Sequence, residues 1–249
     1  TRGSGSLTLQ AVTGGNVTIG GQSLSNQTGN IQVGNIAASG NLRVESEANG
    51  VSVSGIAATN GSIVLSSGTG MNLGGNLTST GSVIRVDAGD GDLSLNTLSA
   101  ASGIDLDARN GSITLASATA DADQINGGTL SILAVGTDSA SLPASLNASG
   151  ALAGSTVSLQ AAGNIAVADV SSANNITVTA GGNISASGNW TGGTATSFDD
   201  IDVQSTGGGS ITLQDLTAGD LFIGDLNSGQ STGAIQLGTL TATDSIIIE

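Results

Sequence analysis

The chain lacks several residue types on which common folds and catalytic sites depend. It has no cysteine and no histidine in 249 residues, which excludes disulfides, zinc–cysteine clusters, thiol nucleophiles and histidine bases. Aromatic residues make up 1% of the chain, and there is a single proline. No run of Leu, Ile and Val exceeds the three residues seen at Ile246–Ile248, so we predict no insertion into a membrane.

Positive charge is also scarce. Four Arg stand against 19 acidic residues, for a formal net charge of −15. Nucleic-acid binding needs clustered basic residues, and anionic membranes attract the same residues, so we predict neither partner. Only 9% of residues are charged, yet the mean hydropathy is +0.23. The surface must therefore consist mainly of neutral polar residues and glycine, which is typical of extracellular proteins.

A short alternating motif is abundant. Segments such as Val51–Val53 and Ile113–Leu115 read apolar–polar–apolar and recur along the chain. This alternation indicates short strands with one buried face, and Gly, Asn or Ser before most of them supplies turns. We expect the asparagines at these turns to form amide ladders along stacked coils, each side chain bonding the next. They are Asn16, Asn30, Asn41, Asn164, Asn175 and Asn183.

The spacing of the segments predicts the fold. Equivalent apolar residues follow one another at a nearly constant step of about 20 residues, which is typical of a solenoid with one coil per step. The clearest series is Ile31, Val51, Met71, Leu93 and Ile113. Because stacked coils enclose a dry core, we predict an all-β parallel β-helix of roughly 20 residues per coil. It runs as one domain through residues 1–249, with on the order of twelve coils.

Two segments break the period, and we interpret them as irregular coils or loop insertions. They lie near residues 117–156 and 187–200. Loops carry function more often than the scaffold does. In the second segment we predict a ligand-binding site; the alternative, that both segments pack against the rod, stays open. The candidate residues are Trp190, Phe198, Asp199 and Asp200.

The segment from Asp87 to Asp92 is acidic and rich in glycine. Asp87, Asp90 and Asp92 could supply oxygen ligands to Ca²⁺. Glycine-rich calcium motifs of solenoids occur in tandem arrays, whereas this segment occurs once, so a solvated acidic turn is the alternative. No other cofactor is predicted.

Three runs resemble a known family of repeats. They are Gly-Gly-Asn-Ile-Ser-Ala-Ser-Gly at 181–188, Gly-Asn-Ile-Ala-Val at 163–167 and Asn-Gly-Ser-Ile-Thr-Leu at 110–115. They resemble the repeats of filamentous-haemagglutinin-type exoproteins, which are large bacterial adhesins exported by two-partner secretion; autotransporter passengers share the style. The resemblance covers nearly the whole chain, but the Asn-Pro-Asn signatures of the family's secretion domain are missing. The repeat already runs at Leu7 and still runs at Ile248, so we expect an excerpt of a longer protein.

The resemblance implies a right-handed parallel β-helix that is secreted or held at the bacterial cell surface. It also implies adhesion, aggregation or a role in biofilm matrix, with glycans or proteins of the surface or matrix as partners. Our first hypothesis is therefore a structural and adhesive rod segment. The alternative is a self-assembling filament subunit that associates end to end or laterally, because open coil ends expose unpaired strand edges.

Two further hypotheses are weaker. A polysaccharide-acting β-helix enzyme would need a carboxylate pair, and only Asp199, Asp200 and Asp202 are close together in sequence. Aromatic platforms and basic residues for a sugar substrate are scarce, so we predict that the chain is not an enzyme. An ice-binding surface would need Thr-x-Thr arrays on one face, and no regular array emerges.

Overall fold

The structure is a computed structural model, and the part of the chain that it describes contains only β-strands and connecting turns. No helix occurs in that part, and therefore none that could span a membrane. The all-β class predicted from the sequence is confirmed. The described residues are 5–21, 29–55, 57–121, 127–138, 142–193, 200–224 and 232–249.

The 29 strands of the described residues join into one sheet whose strand pairs are parallel. Each coil of the chain lies on the previous one, which makes a β-solenoid of about 10 turns and about 21 residues per turn. The turns are fewer than the sequence suggested because several coils are longer than predicted. The strands are β1 (Leu7–Gly14), β2 (Val17–Gly20), β3 (Ile31–Ala38), β4 (Leu42–Ser46), β5 (Val51–Val53), β6 (Ala57–Thr59), β7 (Ile63–Leu73), β8 (Leu77–Ser79), β9 (Ile84–Leu95), β10 (Thr97–Ala100), β11 (Ile104–Ala108), β12 (Ile113–Leu115), β13 (Ser117–Thr119), β14 (Thr129–Ala134), β15 (Leu146–Ala148), β16 (Leu152–Gly154), β17 (Thr156–Ala161), β18 (Ile165–Val167), β19 (Val170–Ser172), β20 (Ile176–Ala180), β21 (Ile184–Ala186), β22 (Trp190–Thr191), β23 (Asp200–Ser205), β24 (Ile211–Leu213), β25 (Leu216–Ala218), β26 (Asp220–Gly224), β27 (Ile235–Leu237), β28 (Leu240–Ala242) and β29 (Ile246–Ile248).

Each coil contributes to three ladders, which form three faces of the rod. Face 1 is built on β5, β12, β15, β18, β21, β24 and β27. Face 2 is built on β6, β8, β10, β13, β16, β19, β22, β25 and β28. Face 3 is built on β2, β4, β11, β14, β17, β20, β23, β26 and β29. The longer strands continue around a corner: β1 and β3 from face 1 to face 2, β7 and β9 from face 3 to face 1.

The core is a stack of aliphatic side chains inside the coils. On face 3, Leu42, Ile63, Ile84 and Ile104 lie above one another and are almost completely buried. Neighbouring strands of a sheet are about 4.8 Å apart, so each side chain packs against its equivalents in adjacent coils. Burial of one such side chain stabilises the fold by about 1.5–3 kcal/mol. Repetition of this gain along the rod explains why such short strands suffice.

The segment 117–156 contains the longest coil. Ile113 pairs directly with Leu146, so all the chain between them belongs to one turn, and the ladder then resumes in register. In the segment 187–200 the coil is also lengthened, since Ile176 pairs with Ile201. Residues 194–199 lie outside the described part of the chain.

Asparagine side chains connect successive coils at the corners. Asn164 Oδ1 accepts a 2.7 Å hydrogen bond from the backbone N–H of Asn183, whose Oδ1 accepts one of 2.8 Å from the N–H of Ser210. The ladder is thus from side-chain oxygen to backbone, and not from side chain to side chain as the sequence suggested. The reason is that a corner N–H needs an acceptor where the strand ladder is interrupted. The six asparagines that form such a bond are Asn16, Asn30, Asn41, Asn164, Asn175 and Asn183.

Aspartate and serine fill the same corner position in other coils. The Asp92 carboxylate accepts a 2.9 Å hydrogen bond from the N–H of Ser112, and Ser112 Oγ accepts one of 3.0 Å from the N–H of Ser145. Ser145 Oγ in turn accepts from the N–H of Asn164 at 3.1 Å. With the two asparagine bonds above, this corner carries a continuous series from Asp92 to Ser210.

We expect Asn164→Ala to lower the free energy of unfolding by about 1 kcal/mol, because the N–H of Asn183 loses its protein acceptor. Asn164→Asp keeps an acceptor oxygen and should retain most of the stability. Urea unfolding followed by circular dichroism measures both. The matched control is Asn174→Ala, since the Asn174 side chain forms no hydrogen bond to any described residue. Equal losses in Asn164→Ala and Asn174→Ala would show that the corner bond does not contribute.

Candidate functional site

The three predicted calcium ligands lie on β9, and each one is bonded to the following coil. The Asp87 carboxylate accepts a 2.7 Å bond from an Arg109 guanidinium nitrogen. Asp90 Oδ1 accepts a 2.6 Å bond from Asn110 Nδ2, and Asp92 belongs to the corner series already described. All three carboxylates therefore link one coil to the next in this structure. The described residues contain no group of three acidic side chains placed to hold a metal ion.

Charged residues are concentrated on face 3. Arg85 Nε pairs with the Asp105 carboxylate of the next coil at 3.1 Å, and Arg109 reaches back to Asp87. Asp107 lies beside Asp87 in the ladder. Burial raises the pKa of Asp107, the Asp87 carboxylate raises it further, and Arg109 partly offsets both. The two arginines thus offset part of the negative charge of three acids that the strand register brings together.

Trp190 is a core residue in this structure and does not face a ligand at the surface. Its side chain is 0% exposed and stacks in register between Val170 and Leu216. The indole Nε1–H donates a 3.1 Å hydrogen bond to the carbonyl of Ala168, which satisfies its one polar group. A tryptophan can lie in the interior of a solenoid or in a surface loop, and the sequence alone did not distinguish these two positions.

The other residues predicted for this site are divided between described and undescribed parts of the chain. Phe198 and Asp199 lie outside the described residues. Asp200 begins β23, and its backbone N–H donates to Asn175 Oδ1 at 3.2 Å. On the same strand, Gln204 Nε2 donates to both carboxylate oxygens of Asp202 at 3.0 Å. Burial raises the pKa of Asp202, and the Gln204 hydrogen bonds oppose that rise.

The described residues form surface grooves on faces 1 and 2. One on face 1 has a volume of about 630 Å³ and is lined by Gln32, Ser52, Asn72 and Ser94 among others. A second groove on face 1 measures about 360 Å³, and one on face 2 measures about 470 Å³. The alternation of each strand indicates which side chains point outward, but the depth of a groove depends on how the corners stack.

Face 1 differs from face 3 in that its outward row, over the described residues, carries no charge. The register aligns one outward side chain per coil into a row that runs the length of the described rod. Every member is neutral, and most can donate or accept hydrogen bonds. The row is Thr8, Gln32, Ser52, Asn72, Ser94, Thr114, Asn147, Ala166, Ser185, Thr212 and Gln236.

Comparison with protein-family models, with curated proteins and with solved structures gives no match. The family resemblance of the repeats therefore rests on the sequence runs alone.

We expect calcium to leave the melting temperature unchanged to within about 1 °C. The reason is that Asp87, Asp90 and Asp92 already accept hydrogen bonds from the next coil, which a bound ion would have to replace. Differential scanning calorimetry in calcium chloride and in EDTA measures the difference. A site occupied at 100 times its Kd would instead add about 2.7 kcal/mol. A rise in calcium that Asp90→Asn abolishes and Asp244→Asn retains would establish the site and contradict this expectation.

Proposed function

We propose that the chain is a structural and adhesive rod segment of a secreted bacterial cell-surface protein. The observation that carries the proposal is the continuity of the solenoid: three parallel ladders and one aliphatic core extend through about 10 turns. At about 4.8 Å per turn, the rod is about 50 Å long. A rod of this kind holds the binding elements that it carries at fixed distances from one another.

The mechanism of a rod is mechanical. Each coil is held by inter-coil hydrogen bonds on three faces and by corner bonds such as that from Asn183 N–H to Asn164 Oδ1. Backbone that is paired on both sides is a poor substrate for proteases, because cleavage requires local opening. These properties suit a protein exposed outside the cell.

The adhesive and extracellular parts of the proposal draw on two supports. One is the resemblance of the repeats to haemagglutinin-type exoproteins. The other is the neutral polar composition of face 1, which offers hydrogen-bonding groups without charge over the whole described rod. The partners we propose are glycans or proteins of cell surfaces or matrix.

Beads that carry the chain covalently should be retained on epithelial monolayers or bacterial films several-fold better than beads that carry the same mass of albumin. Many copies per bead convert weak individual contacts into measurable avidity. Retention is counted by fluorescence after washing at fixed shear. Retention equal to that of albumin beads on both surfaces would contradict the adhesive part of the proposal.

A second candidate is a filament subunit, in which the last coil of one copy would pair with the first coil of the next. The side chains of Ile246, Ile247 and Ile248 on β29 are 45%, 38% and 47% exposed. At the opposite end, Leu7 and Leu9 of β1 are only partly buried. The first coil (β1 and β2) and the last coil (β27, β28 and β29) each contribute to all three faces, so the first coil of a second copy would extend the last coil of the first in ordinary register.

If the chain forms filaments, electron microscopy and light scattering of the purified protein should show linear polymers whose mass increases with concentration. Ile248→Lys places a charge on the apolar end and should abolish them. Thr241→Lys adds the same charge at an outward position of the last turn and should have no effect. Uniform monomeric rods at all concentrations would rule out the filament.

A further inference from the structure

A large groove of the described chain lies across four successive coils of face 1. Its outward row consists of Gln32, Ser52, Asn72 and Ser94, which are aligned in register from β3 to β9. Four rungs at about 4.8 Å spacing span about 14 Å. A volume of about 630 Å³ lies in the usual range for ligand sites.

Glycines make the groove. Gly50 and Gly70 occupy the corner position between Asn30 and Asp92, and neither has a side chain to fill the space outside the backbone. A Cβ on Gly70 would lie 2.9 Å from the carbonyl oxygen of Asp92, so the close approach of the coils requires glycine there. The backbone of these glycines forms one part of the groove lining, the glycine floor, beside the polar row.

The polar row alternates in type from coil to coil. Amides of Gln32 and Asn72 occupy one set of rungs, and hydroxyls of Ser52 and Ser94 occupy the other. Gln32, Asn72 and Ser94 are exposed, and the amides of Gln32 and Asn72 make no hydrogen bond to any described residue. The groove thus presents equivalent donors and acceptors every second rung, about 9.6 Å apart.

We propose that this groove binds a neutral, extended polysaccharide along the rod axis; the inference names the ligand class within the adhesive function proposed above. In an extended β-1,4-linked chain, one sugar advances by about the distance between rungs, and alternate sugars present the same face. Amide-bearing rungs therefore meet every second sugar in the same orientation. The sugar hydroxyls exchange hydrogen bonds with the amides and serines, and the ring CH groups lie on the glycine floor.

The charges of the chain restrict the ligand further. The net charge is −15, and among the described residues the one acidic side chain that lines the groove is that of Asp92, which accepts the N–H of Ser112. An acidic polysaccharide would be repelled. No aromatic residue of the described chain lines the groove, so stacking adds nothing, and we expect a Kd on the order of 1 mM for a tetrasaccharide.

Titration of the ¹⁵N-labelled chain with defined oligosaccharides tests the proposal. The probes are cellotetraose, β-1,4-mannotetraose, the corresponding disaccharides, maltotetraose and tetragalacturonate. We expect at least one β-1,4 tetraose to shift the amides of residues 31–33, 51–53 and 71–73. It should bind about tenfold more tightly than its disaccharide, and more tightly than curved maltotetraose or anionic tetragalacturonate.

Variants identify the side chains responsible. The double variant Gln32→Ala/Asn72→Ala should weaken tetraose binding about tenfold, because it removes both amide rungs. The matched control is Asn147→Ala, an exposed amide in the same row of face 1 whose neighbours are Thr114 and Ala166. It should leave binding unchanged. Because the three substituted side chains point outward, we expect the fold of each variant to be intact. An unchanged melting temperature would verify this.

Three results would overturn the inference: no shift with either β-1,4 tetraose at about 10 mM, shifts outside face 1, or equal weakening by Asn147→Ala. Its failure is separable from that of the adhesive proposal. If beads are retained but no oligosaccharide binds, the groove inference is wrong and the chain adheres through another surface. If an oligosaccharide binds but beads are not retained, the groove inference is supported and the adhesive role is contradicted.

Discussion

The hydrogen bond between successive coils is the interaction on which the rest of the structure depends. Very short strands cannot stand alone, and they persist here because each described strand between the first and last coils is paired above and below. At the corners, where strand pairing stops, a side-chain oxygen of Asn, Asp or Ser takes over as acceptor, as in the series from Asp92 to Ser210. The composition follows from this constraint: small polar residues at corners, aliphatic residues inside, and glycine where two coils approach too closely for a Cβ.

The sequence was sufficient for the fold because the fold is periodic. A constant step between apolar–polar–apolar segments specifies which residues stack, and Ile31, Val51 and Met71 indeed share one ladder. Periodicity did not reveal what individual polar residues do. Asp92 is a predicted metal ligand, and in the structure its carboxylate also accepts a corner hydrogen bond, a role that requires knowing which N–H lies above it. Trp190 was assigned to a loop because the segment 187–200 breaks the period, yet its side chain fills the core.

Faces 1 and 3 of the rod offer different chemistry to a partner although they share one backbone pattern. Face 3 carries the arginine–carboxylate pairs, including Arg85 with Asp105. Face 1 carries an uncharged row with two grooves that follow one another along the rod. Because the strand register fixes which residues become neighbours, a substitution at one outward position changes the surface without disturbing the core. Surface specificity and stability are therefore nearly independent in this architecture.

The long coil between Ile113 and Leu146 has a consequence for folding and for evolution. A coil can form only on the one that precedes or follows it, so contacts stay short in sequence and assembly proceeds by propagation. Doubling the length of a closed loop costs only about 0.6 kcal/mol of chain entropy, and this coil is less than twice the usual length. The next coil recovers that loss as soon as its side chains are buried. The solenoid can therefore accept new chain at its corners during evolution, while the ladder on either side continues as before.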